Sequence, residues 1–152
     1  MSFKCLYTNA QSICNKFDEF KSCILQYSPK IVAITESWCN ETVNGSEIHL
    51  DNYKVYRNDK QSGRGGGVLL YIHCSLNFTP CAEMNKLEIK DSFWGTIKLT
   101  SKETLFVGVV YRSPSSNVNN NEKLNQAIQQ IYQHCNFTQL LLMGDFNYPE
   151  IN

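Results

Sequence analysis

The run Ile31-Val32-Ala33-Ile34-Thr35 has no polar face. Successive side chains of a strand point to opposite faces, so a half-wetted strand shows a polar residue at every second position. Here every position up to Thr35 is apolar and most are β-branched, the pattern of a strand covered on both sides. Whatever else the chain does, it must supply two layers to bury this one.

The rest of the sequence offers them. Residues 3–9, "FKCLYTN", read as a short strand. Phe17, Phe20 and Ile24 fall at i, i+3 and i+7, which predicts a helix that Ser28-Pro29 closes. Residues 37–52 are polar and read as a loop. "YKVYRND" and "GVLLYI" read as two strands joined through "KQSGRGGG". Consecutive glycines there permit a tight turn or close backbone approach. They also suit a phosphate cradle, but without a following Lys-Ser/Thr this is no P-loop. "FWGTIKL" and "LFVGVVY" flank "TSKET" as a hairpin, and residues 112–121 read as a loop. Leu124, Ala127, Ile128 and Ile131 form the stripe of a second helix, and "QLLLMGDFN" is the last strand. The order strand, helix, several strands, helix, strand predicts sheets covered by helices.

Composition narrows the class. The chain has 152 residues, 42% hydrophobic and 18% charged, which fits a globular domain with a core. No run approaches the ~18 apolar residues that a membrane span needs, and "MSFKCLYTNA" lacks the apolar stretch of a secretory signal. Four Asn-x-Ser/Thr matches, at Asn40, Asn44, Asn77 and Asn136, therefore read as chance. The 14 basic and 14 acidic residues balance, which counts against a strongly basic nucleic-acid binder but not against a local patch. Lys54, Arg57, Lys60 and Arg64 suit either a phosphate-facing rim or a solvated hairpin. Seven cysteines without a C-x-x-C pair read mostly as buried free thiols in a reducing compartment.

Four apolar strands run into polar residues: Asn9, Glu36, Tyr111, and Asp145 with Asn147. If the last strand continues through Asn147, Asp145 and Asn147 share a face and Phe146 turns into the core. Each residue alone has a plain structural reading. A loop glutamate is usually solvated, Asn9 can close a turn, Tyr111 can sit at a core edge, and Asp145 and Asn147 can bond nearby backbone. Together they have a chemical logic. Carboxylates and an amide oxygen are hard ligands suited to Mg²⁺ or Mn²⁺. Tyrosine hydroxyl and asparagine amide donate to phosphoryl oxygens, and an aspartate can take a proton from water.

Five segments in order carry a family resemblance: "YTNAQSICNK", "IVAITESW", "GRGGGVLLYI", "GVVYRSP" and "LLMGDFNYPEI". The chain resembles the endonuclease/exonuclease/phosphatase superfamily and, more narrowly, the endonuclease domain of non-LTR (LINE-type) retrotransposons. The resemblance implies an α+β, DNase I-like sandwich of two β-sheets flanked by helices, over residues 1–152 as one domain incomplete at its C-terminus. It implies phosphodiester hydrolysis with Mg²⁺ or Mn²⁺. Glu36 matches the metal-binding glutamate, and Asn9 the asparagine beside metal and phosphate. Tyr111 matches a phosphate-contacting tyrosine, Asp145 the aspartate that orients or deprotonates water, and Asn147 the asparagine that supports the transition state. Arg64 and Arg112, inside matching segments, are candidate substrate contacts. Gln11 stands where apurinic endonucleases carry an aspartate. Family members continue past this point to a Ser-Asp-His motif, whereas His49, His73 and His134 lie in no such motif and read as structural or surface residues.

The leading expectation is a DNA-nicking endonuclease of retroelement origin, impaired without the Ser-Asp-His motif. The partners would be DNA and, in a longer polyprotein, a C-terminal reverse transcriptase; no membrane is expected, and the location would be intracellular, in the nucleus by analogy. A phosphatase of the same superfamily is the alternative. A non-catalytic remnant and a cysteine-based zinc module complete the set.

Overall fold

The computed structural model describes residues 2–61 and 63–148. Ser62 of the glycine-rich segment and residues 149–151 of the last matching segment lie outside them.

Ile31–Thr35 forms β2, buried along its whole length. Val32 and Ile34 pack on Phe17, Phe20 and Ile24 of α1 (Phe17–Tyr27). Ile31 and Ala33 pack the other way, against Val107 and Val109 of a second sheet. The two apolar faces thus meet two different layers.

The first sheet contains β1 (Cys5–Asn9), β2, β3 (Tyr53–Asn58) and β4 (Val68–His73), in the order β1-β2-β4-β3. The second contains β5 (Asn77–Pro80), β6 (Ser92–Lys98), β7 (Thr104–Tyr111) and β8 (Gln139–Asp145), in that order. A one-turn helix α2 (Ala82–Asn85) and the long α3 (Val118–His134) complete the described elements. Leu124, Ala127 and Ile131 of α3 cover Trp94, Phe106 and Val110 on the outer face of the second sheet. The layers run α1, sheet, sheet, α3. Fully buried side chains such as Trp94, Phe106 and Ile34 each contribute roughly 1.5–3 kcal/mol.

Two crossovers set the function-bearing end. β1 passes through α1 to the parallel β2, and β7 passes through α3 to the parallel β8. A parallel pair puts the C-terminal ends of both strands side by side. The hairpins β3–β4 and β6–β7 are antiparallel, as the sequence predicts. At the last parallel pair, Gly144 lies so close to the Val110 carbonyl that a Cβ there would collide with it.

Several expectations need correction. Helix α3 starts at Val118, inside the stretch read as loop, because the Asn117 side chain accepts the Asn120 N–H at 2.9 Å. An asparagine-rich run looks loop-like by composition, yet asparagine is a strong N-cap. β5 and α2 are too short to show a periodicity. The loop 37–52 hides buried Cys39, Ile48 and Leu50 and a 3-10 turn, Gly45–Ile48, closed by Asn44 and Glu47. All seven cysteines are free, but only Cys39 is buried. Among the described residues no helix is long and apolar enough to cross a membrane.

Candidate active site

Asn9 ends β1 opposite Thr35 of β2, so Glu36, the next residue, emerges at the same end of the sheet. Tyr111 ends β7 opposite Asp145 of β8. The two pairs meet across the sandwich. Asn9 Nδ2 donates to Asp145 Oδ2 at 3.2 Å, joining residues 136 apart in sequence. Tyr111 and Glu36 lie close enough across the sandwich to shift each other's ionisation. Asn9, Glu36, Tyr111 and Asp145 therefore share one rim.

Glu36 is held from three directions. The β1–α1 loop bonds its backbone and its neighbour's: Ser12 N–H to the Glu36 carbonyl at 3.0 Å and Ile13 N–H to Ser37 at 3.1 Å. The glycine-rich loop bonds the other edge, with Ser37 N–H on the Gly67 carbonyl at 3.1 Å and Trp38 N–H on Gly66 at 3.0 Å. The carboxylate then takes Trp38 Nε1–H and, at 3.0 Å, Gly66 N–H, both on Oε2. Gly67 sits at φ +82°, and a Cβ there would come 2.6 Å from Ser37 Oγ, so no larger residue closes this loop.

The backbone confirms that this end is constrained. Non-glycine residues with positive φ include Gln11, Ser12, Glu36, Trp38, Asp91 and Asn147, all on loops at this rim. Such conformations cost on the order of 1–3 kcal/mol each and persist where surrounding contacts over-determine them.

Electrostatics follow from the packing. Burial pushes the Glu36 carboxyl up, but the Tyr111 hydroxyl, Trp38 indole, Gly66 N–H and Lys60 charge outweigh it and hold it below the ordinary range. Tyr111 moves the other way: burial first, then the Glu36 carboxylate, keep its proton on. Asp91 is raised by burial, against the Gly67 N–H and Lys60.

The remaining candidates are placed differently. β8 stops at Asp145, and Asn147 turns to φ +38° beyond it, so strand alternation does not carry Asn147 beside Asp145. Its Nδ2 instead donates to the Arg112 carbonyl at 2.9 Å. Phe146 does turn to the core, under α3. Arg112 is buried, with Nε on Asn121 Oδ1 at 2.9 Å, Nη1 on the Asn147 carbonyl and its plane over Tyr148. Its guanidinium braces the loop after β8 rather than facing outward. Arg64 stays on the rim, stacked on Trp38 at 4.9 Å from the ring centre. The basic stretch 51–64 divides. Arg57 turns inward to Asp59 and the Asn40 and Val43 carbonyls, Lys54 lines a cavity at the far end, and Lys60 bonds the Arg64 carbonyl. The N–H groups of Gly66 and Gly67 are taken by Glu36 and Asp91, so they form no phosphate cradle.

His73 ends β4 and His134 ends α3, both away from this rim, and His49 faces Asp51 in the open at 3.2 Å. Sequence reasoning missed Trp38 and Asp91, and it gave Lys60 and Gly66 a candidate phosphate-facing role rather than their part in holding Glu36. Trp38 stands in the "TESW" stretch, but nothing in spacing announces an indole N–H on Glu36.

Among the described residues no three His, Cys, Asp or Glu side chains group as a metal site. The rim offers Glu36 and an Asn9 amide oxygen, hard oxygen donors of the type that hold Mg²⁺ with waters and substrate phosphate completing the shell. One carboxylate with an amide fits that mode, and it does not fit zinc.

No family model matches the chain, and no curated protein matches it. Solved structures do. The 3′ phosphatase NExo from Neisseria, bound to product DNA hairpin, aligns at TM-score 0.67 and 13% identity over 96% of this chain and 58% of its own. The Xenopus laevis APE2 catalytic domain aligns at 0.69 and 15%, over 94% and 57%. The human Nocturnin catalytic domain aligns at 0.61 and 16%, over 95% and 64%. The fold is the DNase I-like fold of endonuclease/exonuclease/phosphatase enzymes. The chain spans between 54% and 66% of the length of structures it matches.

Proposed function

We propose that the chain is a phosphodiester hydrolase whose substrate is DNA, working with a hard divalent cation. The observation that carries this reading is the cross-sheet bond of Asn9 to Asp145, with Glu36 and Tyr111 close enough beside it to shift each other's ionisation, which gathers acid, amide and hydroxyl at one rim.

Glu36 and Asn9 would hold the cation, and when bound it would offset charge on the phosphate. The protein groups do the rest. Asp145 orients a water and accepts its proton as the water oxygen adds to phosphorus and the ester P–O bond breaks. The leaving oxygen takes a proton from solvent. Tyr111, kept protonated by burial and Glu36, would donate its one O–H to the phosphate by turning it from the Glu36 side. The Asn147 amide keeps one N–H on the Arg112 carbonyl and would offer its second N–H to a transition-state oxygen. With His49, His73 and His134 all elsewhere, proton transfer rests on Asp145, and we propose slow cleavage by the chain as given. The five matching segments support a retroelement branch. An in-frame Ser-Asp-His motif and reverse transcriptase downstream in the genome would support it further.

The test is nicking of supercoiled plasmid with Mg²⁺ or Mn²⁺. Nicking that Glu36→Ala and Asp145→Ala each reduce by ~100-fold or more supports the site. Equal nicking by all three proteins would sink it. A phosphatase reading is favoured by the neighbours that are 3′ and 2′,3′-cyclic phosphatases. A panel of 3′-phosphorylated oligonucleotide, cyclic phosphate and plasmid separates the two. Inertness on all three, with no cation binding by calorimetry, would leave a non-catalytic remnant.

A further inference from the structure

Asp91 precedes β6 and belongs to none of the segments that carry the family resemblance. Yet it makes two bonds into the rim. Its Oδ1 accepts the Gly67 N–H at 2.6 Å, and its backbone carbonyl accepts the Tyr111 N–H at 2.8 Å. Gly67 adjoins Gly66, whose N–H lies on Glu36 Oε2. The fit is close: a Cβ on Gly66 would come 3.0 Å from Asp91 Oδ1. Asp91 itself is held at φ +52°, a conformation that aspartate tolerates better than most residues.

We infer that Asp91 is a positioning residue: its carboxylate pins the glycine loop that grips Glu36, while its carbonyl fixes the strand end that carries Tyr111. One residue thereby sets the spacing of two groups from different sheets. It does so as a hydrogen-bond acceptor. The amide oxygen of an asparagine can serve the same N–H, whereas alanine leaves Gly67 without a partner and frees the loop. Partners of this kind typically alter metal affinity or activity by ~10–100-fold when removed.

The inference rests on the hydrolase reading only for its kinetic arm. Plasmid nicking is measured against Mn²⁺ concentration for the wild type, Asp91→Asn, Asp91→Ala and the control Thr138→Ala. Thr138 also bonds backbone, at Thr104, but at the far end of β7. The expected result is a rise of ~10-fold or more in the Mn²⁺ needed for half-maximal nicking by Asp91→Ala. Asp91→Asn should stay within about threefold of wild type, and Thr138→Ala should be unshifted. An unshifted Asp91→Ala overturns the inference. So does an Asp91→Asn as impaired as Asp91→Ala, because charge rather than positioning would then be needed.

Amide hydrogen exchange without metal supplies the second arm. Gly66 and Gly67 N–H should exchange at least ~10-fold faster in Asp91→Ala and near the wild-type rate in Asp91→Asn. Unchanged exchange at Gly66 in Asp91→Ala sinks the positioning claim. If the wild type nicks nothing, the hydrolase reading falls, and this arm alone decides whether Asp91 holds the loop.

Discussion

The two ends of the sandwich are built from the same strands and differ in almost everything else. At one end, Asn9, Glu36, Asp91, Tyr111 and Asp145 are tied across sheets, on loops whose residues sit in left-handed conformations. At the other, Lys30 reaches His73 at 3.2 Å, Tyr53 bonds the Pro29 carbonyl, and Thr138 bonds Thr104. Left-handed residues there have local explanations. Ser28, for example, closes α1 with its N–H on Ile24. That far end even carries an open cavity of about 320 Å³ lined by Lys54, Tyr56 and His73. Each of these bonds stays within one sheet and its flanking loops. The lesson is that hollow volume does not mark the site here. Strain and long-range bonds between sheets mark it.

That contrast can be broken or sharpened by substitution. The largest effect should come from the rim's reactive groups. Glu36→Gln and Asp145→Asn should each lower nicking by about 10²–10³-fold, with thermal melts close to wild type. A comparable loss from His73→Gln would erase the distinction between the ends.

Arg112→Ala should act on stability. It removes a buried guanidinium that bonds Asn121 and the Asn147 carbonyl, and should cost about 2–3 kcal/mol in a urea titration. Arg112→Lys should recover little, since a single ammonium cannot span both partners. Wild-type stability in Arg112→Ala would show that the bracing is redundant.

Trp38→Phe keeps a ring under Arg64 but removes the N–H from Glu36. The Glu36 carboxyl, held low by its donors, should titrate at higher pH, read by carbon NMR in the metal-free protein. The acidic limb of nicking should move up with it, and the rate below that limb should fall by up to about tenfold. An unmoved limb would mean that Tyr111 and Gly66 suffice.

The smallest effect belongs to the far end. Burial and Lys30 hold the His73 pKa below its ordinary value. The folded state therefore favours the neutral ring, and its contribution to stability is present above the unfolded pKa and fades as pH falls through the folded one. His73→Gln should flatten that acid-side decline between about pH 7 and pH 5 and leave nicking unchanged. A change in nicking would tie the far end to function.

Much of this was legible in residues. The apolar run at 31–35 announced a strand covered on both faces, the Phe17, Phe20, Ile24 stripe announced the helix that covers one of them, and the polar strand ends announced the rim. These are local signals, because periodicity and strand ends are written in consecutive residues. The turn of Asn147 out of register, the inward aim of Arg112 and the two bonds of Asp91 were not legible. Each depends on which distant backbone group arrives beside the side chain, and only the packing of the two sheets decides that.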